Sequence, residues 1–134
     1  MGRAEVILLD THVWVRWLAP DSRPLADDVV ASIEAADRLA VSAISCWEVV
    51  YLHKRGRIDL GMDVSRWLDL ALAGSDIECL PITREIGAHA AALSDIHRDP
   101  ADRFIIATAV LTRYRLLTLD DTMRQYPELH QLLA

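Results

Sequence analysis

Four acidic residues stand where an apolar run meets a turn or a helix start. Asp10 follows Val6-Ile7-Leu8-Leu9 directly, and Asp120 follows the run from Arg115 to Leu119. Glu48 falls in the first turn of a helix that opens at Ser45, and Asp102 in the first turn of one that opens at Asp99-Pro100. One acid after a strand is ordinary loop chemistry, whereas four at such junctions point to a shared site. Two carboxylates about 4 Å apart repel by roughly 4 kcal/mol at an effective dielectric of about 20, so an uncompensated cluster would take up protons. A hard divalent cation removes that conflict, and an all-oxygen donor set suits Mg²⁺ or Mn²⁺ rather than Zn²⁺. The chemistry that follows is metal-assisted hydrolysis of a phosphodiester, in which the ion activates water and offsets charge on the attacked phosphate.

Each acid also has a local explanation. Ser45-Cys46-Trp47-Glu48 reads as a capping box, in which Glu48 bonds back to the backbone. Asp99 suits an N-cap, with Pro100 at the first helical position and Asp102 at the third, beside unpaired N–H groups. Other chemistries fit poorly. His12, His53, His89, His97 and His130 show no His-x-x-x-His spacing, and the two cysteines form no Cys-x-x-Cys pair, so a zinc site is not expected. The chain has no GxxxxGK[ST], GxGxxG or GxSxG motif.

The elements that must position the acids follow from periodicity. Val6–Leu9, Leu39–Ile44, Ile77–Ile82 and Arg115–Leu119 read as strands, the first buried on both faces. Between them lie helical patterns: Thr11–Leu18, a second after the break at Pro20, Asp21, Ser22 and Pro24, then Ser45–Arg55 stopping at Gly56, and Val64–Leu72 ending at Gly74. A further helix opens at Thr83 with Ile86, Ala90 and Leu93 as its buried stripe, and the one from Pro100 to about Arg113 is apolar nearly all round and therefore central. Strands alternating with helices predict an α/β fold: one domain over residues 1–134, with a mostly parallel sheet of four or five strands and helices on both faces. In such sheets ligands bind beyond the carboxyl ends of the strands, where the acids fall.

Composition bounds the partners. With 14 Lys and Arg against 20 Asp and Glu the net charge is −6, which argues against simple electrostatic binding of nucleic acid. It does not argue against a nucleic-acid enzyme with a cation-filled acidic site. His53, Lys54, Arg55 and Arg57 form the one dense basic cluster, a placement also favoured at a helix C-terminus. Trp14, Trp17 and Trp47 read first as core, with one or two lining a partner surface. Cys46 and Cys79 read as reduced core residues of a cytoplasmic protein, and no signal, membrane-spanning or myristoylation pattern at Gly2 is seen.

Taken together, Leu8-Leu9-Asp10-Thr11-His12, Ser42-Ala43-Ile44-Ser45-Cys46-Trp47-Glu48, His97-Arg98-Asp99-Pro100-Ala101-Asp102-Arg103 and Leu116-Leu117-Thr118-Leu119-Asp120 resemble, in order and spacing, the PIN domain of VapC-type toxins from bacterial type II toxin–antitoxin pairs. The resemblance spans essentially the whole chain. It implies an Mg²⁺- or Mn²⁺-dependent endoribonuclease acting on structured RNA such as tRNA or rRNA, a homodimer, and a cognate antitoxin. By position, Asp10, Glu48 and Asp102 match the three core acids of the family and Asp120 its less constant fourth, with Asp121 competing for that place. Thr11 and Thr118 would hydrogen-bond these carboxylates or satisfy strand ends, Arg103 would steady Asp102 or meet a phosphate, and Asp99 is chiefly a cap. Rival readings are a DNA-cleaving relative, a non-catalytic binding relative, and a receiver-like Mg²⁺ signalling module; the last expects a late lysine, and the only lysine is Lys54.

Overall fold

The computed structural model describes residues 4–19, 23–73, 75–96 and 99–134. Gly2, the break at Pro20 to Ser22, the helix end at Gly74 and the His97-Arg98 pair lie outside the described residues. Four strands, β1 (Val6–Leu9), β2 (Arg38–Ser42), β3 (Ile77–Leu80) and β4 (Arg115–Leu117), form one sheet in the order β3-β2-β1-β4. Every pairing is parallel, with Leu8 opposite both Ala40 and Leu116. The chain steps outward from β1 to β2 to β3 and then returns to place β4 on the other side of β1. The carboxyl ends of β1 and β4 therefore flank a topological switch point, where parallel α/β sheets open a crevice.

Strand β1 is buried along its whole length and its residues alternate between two cores. Val6 and Leu8 face a layer containing α5 (Arg84–Ala92) and α6 (Pro100–Thr112), through Ile86, Ala90, Ile105, Ile106 and Ala109. Ile7 and Leu9 face a layer with α1 (Thr11–Leu18), α2 (Asp27–Ala35) and α4 (Val64–Leu68), through Val13, Trp14, Ile33 and Trp67. Trp14 and Trp67 meet edge to face, with ring centres 5.0 Å apart and planes at 61°. The expected helices on both faces are thus present, and α6 is the apolar central helix.

Several boundaries move for identifiable reasons. Helix α3 (Ala43–Lys54) begins two residues earlier than the sequence suggests, because Ser42 rather than Ser45 caps it, its Oγ accepting from the Ile44 N–H at 3.2 Å. The Ser45-to-Glu48 capping box is therefore not formed. Strand β3 stops at Leu80, before Pro81, which has no N–H to give the ladder. Strand β4 stops at Leu117 because the Thr118 hydroxyl turns to Asp10 and accepts from the Asp120 N–H at 3.1 Å, leading into α7 (Asp121–Arg124). The helix read over Val64–Leu72 slips after Leu68 into a wider π-type turn at Asp69–Ala73.

Candidate active site

Three of the acids at the switch-point end begin helices. Asp10 caps α1, its Oδ1 accepting from the Val13 N–H at 2.9 Å, while its Oδ2 accepts from the Thr118 hydroxyl. Asp99 caps α6 through the Ala101 N–H at 3.0 Å, with Pro100 at the first helical position. Asp120 caps α7 through the N–H groups of Thr122 at 2.8 Å and Met123 at 3.2 Å. Each of these caps satisfies backbone N–H groups that have no partner within their own helix.

Glu48 is different. It sits one turn inside α3, where the backbone N–H groups are already committed to the helix, and its buried Oε1 has no hydrogen-bond partner among the described residues. Burial pushes its carboxyl above the usual range; the Thr11 hydroxyl and the charge of His12 pull it back, while Asp99 and Asp10 push it further up. Burial likewise raises Asp10, opposed by Thr118, the Val13 N–H and His12, and reinforced by Asp120. Carboxylate oxygens of Glu48, Asp99 and Asp102 lie within 4.8 Å of one another. An unpartnered buried carboxylate oxygen inside a three-acid, all-oxygen cluster is a donor set that suits a hard divalent cation.

The four acids read from the sequence are thus distributed rather than equivalent. Asp10, Glu48 and Asp120 line one cavity of about 910 Å³, and Asp99 lines it with them. Asp102 joins Glu48 through the three-acid cluster. Asp99 does more than the capping expected of it: the same carboxyl group starts α6 and stands beside Glu48. Asp120 and Asp121 are now separable, because Asp120 faces the cavity whereas Asp121 is exposed on the first turn of α7 and is not part of its wall.

Thr118 binds Asp10, as one reading of it anticipated, but Thr11 donates to the Ser45 Oγ at 2.8 Å. That bond ties the start of α1 to the first turns of α3. Arg103 is held by several fixed acceptors. Its guanidinium donates to the carbonyls of Ala90 at 3.1 Å, Leu93 at 3.0 Å and Ser94 at 3.0 Å, and to the Tyr126 hydroxyl at 3.2 Å, closing the C-terminal end of α5 onto α6. A planar fork suits several fixed acceptors of this kind. Of the tryptophans, Trp14 is fully buried core, whereas Trp47 is 56% exposed on the cavity wall and so is one of those that line a surface instead.

Sequence reasoning passed over His12, Arg16 and Arg23, which line the cavity as well. His12 follows the first acid directly, and its adjacency was the available signal. Arg16 is fixed by its Nε and Nη2 donating to the carbonyls of Arg23 at 2.9 Å and Pro24 at 3.0 Å, a return contact that no spacing reveals. Cys46 and Cys79 are free thiols with sulphurs 4.0 Å apart, and Cys79 is exposed rather than core.

A parallel sheet with carboxylates gathered at its switch point, three of them capping the helices around one cavity, defines an acid-centred α/β domain suited to phosphoryl chemistry. Residues 7–129 match the PIN domain, and the chain belongs to that family. It is 40% identical to Ribonuclease VapC22 of Mycobacterium tuberculosis over 121 residues, covering 90% of this chain and 91% of that protein. Solved structures share the fold at lower identity. VapBC-1 from nontypeable Haemophilus influenzae matches with a TM-score of 0.68 and 18% identity over 96% of this chain and 95% of the other. A toxin–antitoxin complex from Klebsiella pneumoniae matches with a TM-score of 0.65 and 21% identity over 91% and 93% of the two chains. Among the described residues no helix is long and apolar enough to cross a membrane.

Proposed function

We propose that this chain is a VapC-type endoribonuclease, the toxin of a toxin–antitoxin pair, hydrolysing RNA phosphodiester bonds with Mg²⁺ or Mn²⁺. The observation that carries the reading is that Glu48, whose buried Oε1 is unpartnered among the described residues, clusters with Asp99 and Asp102 and lines a cavity together with Asp99, Asp10 and Asp120. The 40% identity to a ribonuclease of this type, over nearly the whole of both chains, supports RNA as substrate. The toxin–antitoxin complexes among its structural relatives support an antitoxin partner. A homodimer acting in the cytoplasm on tRNA or rRNA completes the proposal, following the family resemblance.

Asp10, Glu48, Asp102 and Asp120 would hold the ion, joined by Asp99, whose carboxylate lies within reach of those of Glu48 and Asp102. When bound, a divalent cation supplies an activated water and neutralises charge on the scissile phosphate. The protein's own contribution is positional. Thr118 fixes Asp10, the α6 start aims Asp99 and Asp102, and the arginines of the cavity wall offer planar donors to a phosphate. His12 offers a proton-carrying group at the cavity wall.

Incubating purified protein with tRNA and rRNA in Mn²⁺ or Mg²⁺ should give discrete cleavage. Asp10→Asn and Glu48→Gln, checked for native folding by circular dichroism, should each lower the rate by about 100-fold or more. Undiminished cleavage by both variants would overturn the proposal.

A further inference from the structure

Trp47, Tyr51 and Arg55 recur every four residues along α3 and therefore share one face of the helix. They form a column. The Trp47 and Tyr51 rings lie 5.1 Å apart with 14° between their planes, and the Arg55 guanidinium sits 5.1 Å from the centre of the Tyr51 ring. Helix α3 buries Ser45, Glu48, Val49 and Leu52, so this aromatic face looks away from the core. Trp47 is 56% exposed and Tyr51 39%, which core packing does not explain. Both rings line the cavity that holds Asp10 and Glu48, and Arg16, Arg23 and Arg57 belong to the same wall.

These features select one kind of occupant. Trp47, stacked on Tyr51 and more than half exposed, leaves aromatic surface open to a flat, polarisable partner, and the surrounding arginines match a negatively charged chain attached to it. A nucleobase on its phosphate backbone has both properties. Bases within a duplex have their faces covered by neighbours, so only an unpaired, splayed-out nucleotide offers a free face. Trp47 and Glu48 line the same cavity, so a base stacked on the column lies within the cavity that carries the acids.

We propose that the Trp47–Tyr51 column is a stacking platform for one unpaired nucleobase of the substrate, and that Trp47 is a substrate-positioning residue. The choice of ligand rests on the ribonuclease reading above. The column makes the enzyme selective for a loop or single strand and leaves the chemistry to the carboxylates.

The test measures binding apart from cleavage. A dye-labelled RNA of about 20 nucleotides without self-complementarity is titrated with the full chain in EDTA, both unpaired and annealed to its complement, and anisotropy and tryptophan quenching are followed. The unpaired strand should bind at least about tenfold more tightly than the duplex, Trp47→Leu should weaken it by about tenfold, and Trp47→Phe should stay within about threefold of wild type. With metal present, Trp47→Leu should raise KM more than it lowers kcat. Equal binding by Trp47→Leu, equal affinity for duplex, or a Trp47→Leu defect confined to self-association in sedimentation would overturn the platform. If the wild type binds the unpaired strand through Trp47 but cleaves no RNA, the ribonuclease reading fails and the platform stands. Cleavage with kcat and KM unchanged in Trp47→Leu gives the converse.

Discussion

Asp10 and Glu48 face the same cavity, yet the fold holds them in opposite ways. Asp10, at the end of β1, has one oxygen capping α1 and the other bonded to Thr118 on the β4 side, so it joins the two strands that flank the crevice. Glu48, inside α3, has an oxygen that meets no donor among the described residues. A buried polar atom left in that state costs about 1–3 kcal/mol. Asp10 thus has a structural duty as well as a place on the cavity wall, whereas Glu48 keeps a buried oxygen whose cost an ion or another donor would relieve.

That contrast can be broken at several points. The largest effect expected is from the ion itself: Mn²⁺ at about 100 times its Kd should stabilise the wild type by about 2.7 kcal/mol in urea denaturation, and Glu48→Gln should abolish most of this. Next, Asp10→Ala without added metal should destabilise by about 2 kcal/mol, through loss of the α1 cap and a stranded Thr118 hydroxyl. A cost below about 0.5 kcal/mol would show that Asp10 carries no structural role.

A smaller effect has the opposite sign. Burial raises Glu48 above its ordinary value of 4.5, so between the unfolded and the folded value the folded protein binds more protons than the unfolded chain. The stability it contributes is full below the unfolded value and is lost as pH rises through the folded one. Glu48→Gln without metal should therefore be more stable than wild type near pH 8 and no more stable near pH 4, in urea denaturation; a gain that grows in acid would reverse the assignment. The smallest expected effect is at Asp121, where Asp121→Asn should alter neither metal-induced stabilisation nor cleavage by more than about twofold, in contrast with Asp120→Asn.

The fold was legible because its signals are local and repeated. Apolar runs mark the strands, and Asp99-Pro100 marks the start of α6 through the chemistry of the helix end itself. The acids were legible because they sit where those signals change. What spacing could not decide was any choice between chemically equal neighbours. Ser42 and Ser45 both suit a cap, and the burial of Ser45 against Thr11 settles it; Asp120 and Asp121 differ only in which one the turn after β4 points inward. Trp47 looked like core because helical spacing shows which residues share a face but not what that face meets. Arg103 and Arg16 spend their donors on carbonyls of other segments, which only the folded chain brings near.

Cys46 and Cys79 have a practical consequence for spectroscopy. Burial, with the neighbouring Cys79 sulphur, pushes the Cys46 thiol up to about 12, so at neutral pH it stays protonated and slow toward alkylating reagents. Cys79, exposed on the edge strand β3, is the thiol open to reagent. A maleimide dye should thus attach at a single position in the unaltered protein, giving a reporter on the edge strand that touches α3 beside Cys46, without removal of either cysteine.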